Sequence, residues 1–175
     1  MSMNDMKPLT GGDQVLTLGV GEELFAVPVT RVQEILDLQR ISQLPNAPQH
    51  VLGVINVRGE GVTVVDLRAV LNMPPIPDSP TTRIVVLWIH SEGDRAVVAL
   101  KADRVLEVTA LDAGALTPLP QARLLRWDQQ MVVGLGRIGD AFITALDLDR
   151  MFDTDLIGRS GAAGTEAAIS LQDVA

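Results

Sequence analysis

The feature that most limits what this chain can become is a set of four paired apolar runs, each pair closing over a short turn. Val15–Val20 and Leu24–Val27 flank Gly21-Glu22-Glu23, and Gly53–Val57 and Val62–Val65 flank Arg58-Gly59-Glu60-Gly61. Ile84–Ile89 and Ala96–Leu100 flank His90–Asp94, and Met131–Leu135 and Phe142–Leu146 flank a turn around Gly139-Asp140. Short β-rich runs separated by glycine-bearing turns are the pattern of antiparallel hairpins. Helical spacing is scarce beside it. Val29, Val32, Ile35 and Leu36 share one helical face and predict a helix within Val29–Leu38. Asp66 and Asp147 precede Leu67–Leu71 and Leu148–Phe152, where a carboxylate can accept the free N–H groups of a first helical turn. The chain reads as all-β, or β-dominant with a few short helices.

Breaks divide it. Residues 1–13 are polar and carry Gly11-Gly12, and 158–175 are rich in small residues with few large apolar ones. Neither stretch carries enough apolar surface to offset the entropy of ordering, so 1–13 and 154–175 are expected to be flexible around a domain at 14–153. Four prolines between Pro74 and Pro80 forbid helix or sheet interior, which makes 73–80 a connection or surface loop. The two sides of this break resemble each other. Arg31-Val32-Gln33-Glu34-Ile35 matches Arg104-Val105-Leu106-Glu107-Val108, and Gly59-Glu60…Asp66-Leu67 matches Gly139-Asp140…Asp147-Leu148. Two similar small β-units follow, each near the lower size limit for standing alone, so the two should share apolar surface.

Composition removes several functions. The formal charge is −8 and there is no cysteine. An acidic chain repels nucleic-acid phosphates and anionic lipids, and without cysteine there are no disulfides, thiolate zinc sites or Cys nucleophile. The start lacks the basic-then-apolar profile of a signal peptide, and the purest apolar run, Ile84–Ile89, is far too short to span a bilayer. A soluble cytoplasmic protein is expected. Gly134-Leu-Gly136-Arg-Ile-Gly139 fits a dinucleotide fingerprint, but the residues after it alternate like a strand where a helix N-terminus is needed. Asp153-Thr-Asp155 opens like a calcium loop, yet Ile157 and Gly164 stand where oxygen ligands are required. His50 and His90 have no third ligand pattern beside them. No cofactor or metal is expected, and nothing argues for catalysis.

The informative stretch runs from Leu44 to Leu71, LPNAPQHVLGVINVRGEGVTVVDLRAVL. Pro45 and Pro48 stiffen its approach, Gly53 and Gly59 allow close backbone contact or positive φ, and Arg58 stands at a hairpin tip. An arginine there is either a solvated charge or a rigidly presented donor for a partner's oxygen atoms. With Gln14–Val27, Val32–Ile35, Ile84–Leu87, Asp103-Arg104-Val105 and Gly134-Leu135-Gly136, this series resembles the bacterial chemotaxis coupling family, CheW, over about residues 14–153.

The resemblance implies two five-stranded SH3-like β-barrels packed on a shared apolar core. It implies a non-enzymatic adaptor that couples a chemoreceptor's cytoplasmic hairpin tip to the regulatory domain of the histidine kinase CheA. Such a protein is recruited to membrane-associated receptor arrays without entering the membrane. Matching positions for partner contact are Val32, Glu34, Gly53, Arg58 and Gly59. Val32 and Ile35 could be buried anchors of an interface or simple core residues. Departures from the family are Thr63 where proline is usual, Val57 where leucine is frequent, and Gly61 as an added glycine near the tip. A scaffold of a non-flagellar chemosensory array is the variant within the family. From a different class, a small-ligand-binding β-barrel remains the alternative.

Overall fold

The computed structural model describes residues 9–112, 116–117 and 131–152. All four hairpins form, as β1 (Gln14–Val20) with β2 (Glu23–Pro28), β4 (Val51–Val57) with β5 (Glu60–Asp66), β6 (Arg83–Ser91) with β7 (Asp94–Ala102), and β9 (Val132–Ile138) with β10 (Ala141–Leu146). Two further strands, β3 (Val32–Asp37) and β8 (Arg104–Ala110), follow the first and third hairpins. Among the described residues the α-helices are two short pieces, α1 (Leu67–Val70) and α2 (Leu148–Met151). Their caps are the two aspartates singled out above: Asp66 accepts from Arg68 N at 3.1 Å and Asp147 from Arg150 N at 3.2 Å.

The strands assemble into two five-stranded sheets, ordered β8-β1-β2-β10-β9 and β3-β6-β7-β5-β4. Each curls into an SH3-like barrel. The repeat halves do not fold as one barrel each. One barrel is β3 to β7, and the other joins β8, β9 and β10 to the hairpin β1–β2. Each barrel therefore combines three strands from one half with a hairpin from the other, and the chain crosses between barrels before β3 and before β8. β4 and β9, which stand 81 positions apart, bury their residues in the same pattern.

Alternation along the central strands fills three cores. On β6, Ile84 and Val86 point into the β3–β7 barrel with Ile55, Val62, Val64 and Ala99. Val85, Leu87 and Ile89 point the other way, against Leu16, Leu18, Val20 and Phe25 of β1 and β2. Val15, Ala26, Ile143 and Ala145 fill the second barrel. Strands β1 and β6 are buried on both faces, which is why they read as unbroken apolar runs.

Two expectations change. Val29–Leu38 is not a helix: a single 3-10 turn at Val29–Arg31 leads directly into β3. The apolar spacing fits either period, and pairing with β6 from Val32↔Leu87 to Asp37↔Arg83 decides for the strand, as β-branched Val32 and Ile35 favour. Residues 9–13, grouped by composition with a flexible segment, are packed. Leu9 is buried in the second barrel, Gly12 N donates to Leu111 O at 3.0 Å, and Thr10 N donates to Asp13 Oδ2 at 2.9 Å. Residues 1–8, the tail 154–175 and the Asp153 segment lie outside the described residues. The proline-rich stretch is a loop without helix or strand, held by Arg68 Nη1 on Pro74 O at 2.6 Å and by an ion pair from Lys101 to Asp78.

Candidate partner-binding site

The β4–β5 hairpin turns on two residues. Val57 pairs with Glu60 and Asn56 with Gly61, so Arg58-Gly59 is the whole loop and Gly61 is a strand residue, not part of the tip. Both loop residues have positive φ, +53° and +89°, the handedness that matches strand twist in a tight hairpin. Asn56 Oδ1 accepts from Gly59 N at 2.8 Å and fixes the loop. Arg58 stands in this turn with its side chain 83% exposed and its Nε 3.2 Å from Glu34 Oε2.

Glu34 reaches this position through a bulge. The β3–β6 register slips between Val32 and Glu34. Val32, opposite Leu87, packs on the shared core, whereas Glu34, opposite Val86, shares the face that looks into the β3–β7 barrel. An open cleft of about 340 Å³ lies at the mouth of that barrel, lined by Gln33, Glu34, Val57, Arg58, Glu60, Val62 and Val97. Of the five positions drawn from the family resemblance, Glu34 and Arg58 meet here, with Gly59 beside Arg58 in the turn. Val32 is half-buried and packs against the shared core. Ile35, the other candidate anchor, is 43% exposed on the opposite face of β3.

Gly53 has a structural task. Its φ is +145°, and a Cβ there would collide with the Ser42 carbonyl, 2.8 Å from the carbon and closer still to the oxygen. Ser42 N and O bond Val54 O and N at 2.9 and 2.8 Å across this close approach. Gly134 repeats the device on β9, where Thr117 crosses. Gly136 packs against Leu111 and Leu116, and Gly139 turns β9 into β10 with φ +61°. The glycines from 134 to 139 thus run along a strand into a hairpin, with no helix after them to receive a pyrophosphate.

Sequence reasoning missed two arginine–aspartate forks at the barrel crossings. Arg31, on the turn before β3, places Nη1 and Nη2 at 2.8 and 2.9 Å from the two oxygens of Asp149 on α2. Asp149 also accepts from His90 N at 2.9 Å. Arg68 on α1 mirrors this with Asp103, just before β8, through Nε at 2.9 Å and Nη2 at 2.7 Å. Gly21 N adds a third donor to Asp103 at 2.7 Å. Burial alone would push both carboxyl groups up. The arginine forks and backbone N–H donors outweigh it and hold Asp103 and Asp149 below the ordinary aspartate range. The signal was faint: Arg68 and Asp149 stand at equivalent repeat positions with opposite charge, each placed to meet a partner at the other barrel's crossing.

A second open depression, about 480 Å³, is lined by Gln49, His50, Asp66, Ala69, Asn72, Met73, Pro74 and Pro75. His50 is 8% exposed, its Nε2 has no partner among the described residues, and burial pushes its imidazole below the ordinary histidine range. No group of three His, Asp or Glu among the described residues could hold a metal ion.

The two barrels thus carry an exposed arginine paired with a glutamate at the mouth of one unit. Comparison with known proteins assigns the family. The family model for the CheW-like domain matches residues 14–156. The chain belongs to the CheW-like domain family.

Among CheW proteins, that of Rhizobium meliloti (strain 1021) is 31% identical over 153 residues, covering 87% of this chain and 96% of that protein. The Klebsiella aerogenes chemotaxis protein CheW is 27% identical over 146 residues, covering 83% and 85%. The crystal structure of the scaffolding protein TtCheW from Thermoanaerobacter tengcongensis superposes with a TM-score of 0.71 at 25% identity, covering 82% of this chain and 94% of that one. The CheW-like region thus takes in every strand and both helices described above. No helix among the described residues is long and apolar enough to cross a membrane.

Proposed function

We propose that this CheW-like protein is a non-enzymatic adaptor of chemosensory signalling. It binds the regulatory domain of the histidine kinase CheA and the cytoplasmic hairpin tip of a chemoreceptor, and so places the kinase under receptor control. The observation that carries this reading is the CheW-like match over residues 14–156, which spans both barrels. Support from the geometry is the cleft at the barrel mouth. Glu34 and Arg58 sit there around an apolar floor of Val57, Val62 and Val97, and the barrel beneath is fully packed. Small interfaces draw their energy from a few well-positioned anchors, and a preorganised hairpin tip is one. The protein works in the cytoplasm, held at receptor arrays by its partners.

Calorimetric titration against purified CheA regulatory domain tests this. Saturable binding by the native protein, weakened by reversing Glu34 to arginine with no loss of melting temperature, supports the reading. Absence of binding to the kinase domain and to a receptor tip fragment contradicts it.

A further inference from the structure

Among the described residues, four arginines lie in ion pairs: Arg31 with Asp149, Arg58 with Glu34, Arg68 with Asp103 and Arg83 with Asp37. Arg95 is held differently. Its side chain makes no hydrogen bond or ion pair among the described residues, and its guanidinium lies over the Trp88 ring, Cζ 3.6 Å from the centroid. The ring is itself fixed. Trp88 is 3% exposed, its Nε1 donates to Thr30 O at 3.0 Å, and Arg31 stacks on it at 4.4 Å.

The stack borders the cleft described above. Trp88 on β6 is registered opposite Val97 on β7, and Val97 lines the cleft with Glu34 and Arg58. Arg95 precedes Val97 by two residues, so both share one face of β7 about 7 Å apart. Arg58 shares its charge with Glu34, whereas Arg95 brings an unshared charge to the same rim.

We propose that Arg95 is a specificity-determining residue for the CheA regulatory domain, donating to a carboxylate that stands beside an apolar side chain covering Val97. The inference rests on the adaptor reading and deepens it. A guanidinium stacked on an indole has already lost much of its rotamer freedom and keeps its N–H edges outward for two parallel bonds to a carboxylate. The rim favours a loop or strand over a helix. A helix needs a long apolar groove for anchors spaced i, i+3, i+4 and i+7. This cleft offers a short floor of Val57, Val62 and Val97 hemmed by Glu34, Glu60 and Arg58.

The test titrates the full chain and its Arg95→Ala and Arg95→Lys variants with purified CheA regulatory domain and, separately, with a receptor tip fragment. Arg95→Ala weakens kinase-domain binding about tenfold or more and flattens its salt dependence. Arg95→Lys restores only part of the loss, and receptor binding stays unchanged. Kinase-domain affinity within twofold of native in Arg95→Ala overturns the proposal, as does full rescue by lysine or a loss confined to the receptor fragment. Failure of the native protein to bind either partner overturns the adaptor reading with it.

Discussion

Replacing Gly53 with alanine should damage this protein far more than one methyl group suggests. At φ +145° an L side chain is strained whatever the space, and the added Cβ would overlap the Ser42 carbonyl. Backbone strain of this kind costs about 1–3 kcal/mol. Relief requires the segment at Ser42 to retreat from β4, which loosens the paired Ser42–Val54 hydrogen bonds at about 1 kcal/mol each. The sum is roughly 3–5 kcal/mol, a large share of the 5–15 kcal/mol by which domains of this size are stable. At about 2–4 °C per kcal/mol, the melting temperature should fall by about 6–20 °C. Gly134→Ala is the control. Its added Cβ would stand 3.0 Å from Thr117 O without positive φ, so its loss should be clearly smaller. Thermal melts followed by circular dichroism measure both. A Gly53→Ala melting temperature within 2 °C of native would refute the close-approach argument.

Three further outcomes follow from the same coordinates. Asp103→Ala leaves Arg68, whose side chain is only 11% exposed, without its fork, and should cost about 3 kcal/mol in urea unfolding. His50 has its imidazole held below the ordinary value, so its contribution to stability is complete above about pH 6.5 and is lost as pH falls toward that lowered value. His50→Phe should therefore flatten the loss of stability between pH 7 and pH 5; an unchanged slope would assign the acid sensitivity elsewhere. Arg58→Ala removes an 83% exposed side chain from a surface ion pair and should shift stability by less than about 1 kcal/mol while weakening kinase-domain capture in pull-downs.

Much of the architecture was legible because hairpins announce themselves locally. Gly21, Gly59, Gly93 and Gly139 punctuate the four turns with positive φ, and the intervening runs are too short and too β-branched for helices. Strand β3 was not legible. Its burial alternates, but the residues do not follow it: polar Glu34 takes a half-buried position and apolar Ile35 an exposed one, and the bulge between Val32 and Glu34 turns Val32 toward a different core from Leu36. The exchange of hairpins between barrels was hidden for a different reason: a repeat reveals which segments are alike, not which will pair. At the candidate site, the turn glycine and Arg58 were visible, whereas Glu34 reaches Arg58 only through the curl of the sheet. The Arg31–Asp149 fork, the Arg68–Asp103 fork and the Trp88–Arg95 stack depend on side chains meeting across strands or crossings, and no local pattern encodes them.

The central claim is that two barrels on one core hold two different proteins at once. Analytical ultracentrifugation of the chain mixed with CheA regulatory domain and a receptor tip fragment tests it directly. A binary species in each pairwise mixture with the chain, and a ternary species when all three are mixed that loses only the kinase domain in Arg58→Ala, is the expected result. Mutually exclusive binding, with either partner displacing the other, would contradict the account.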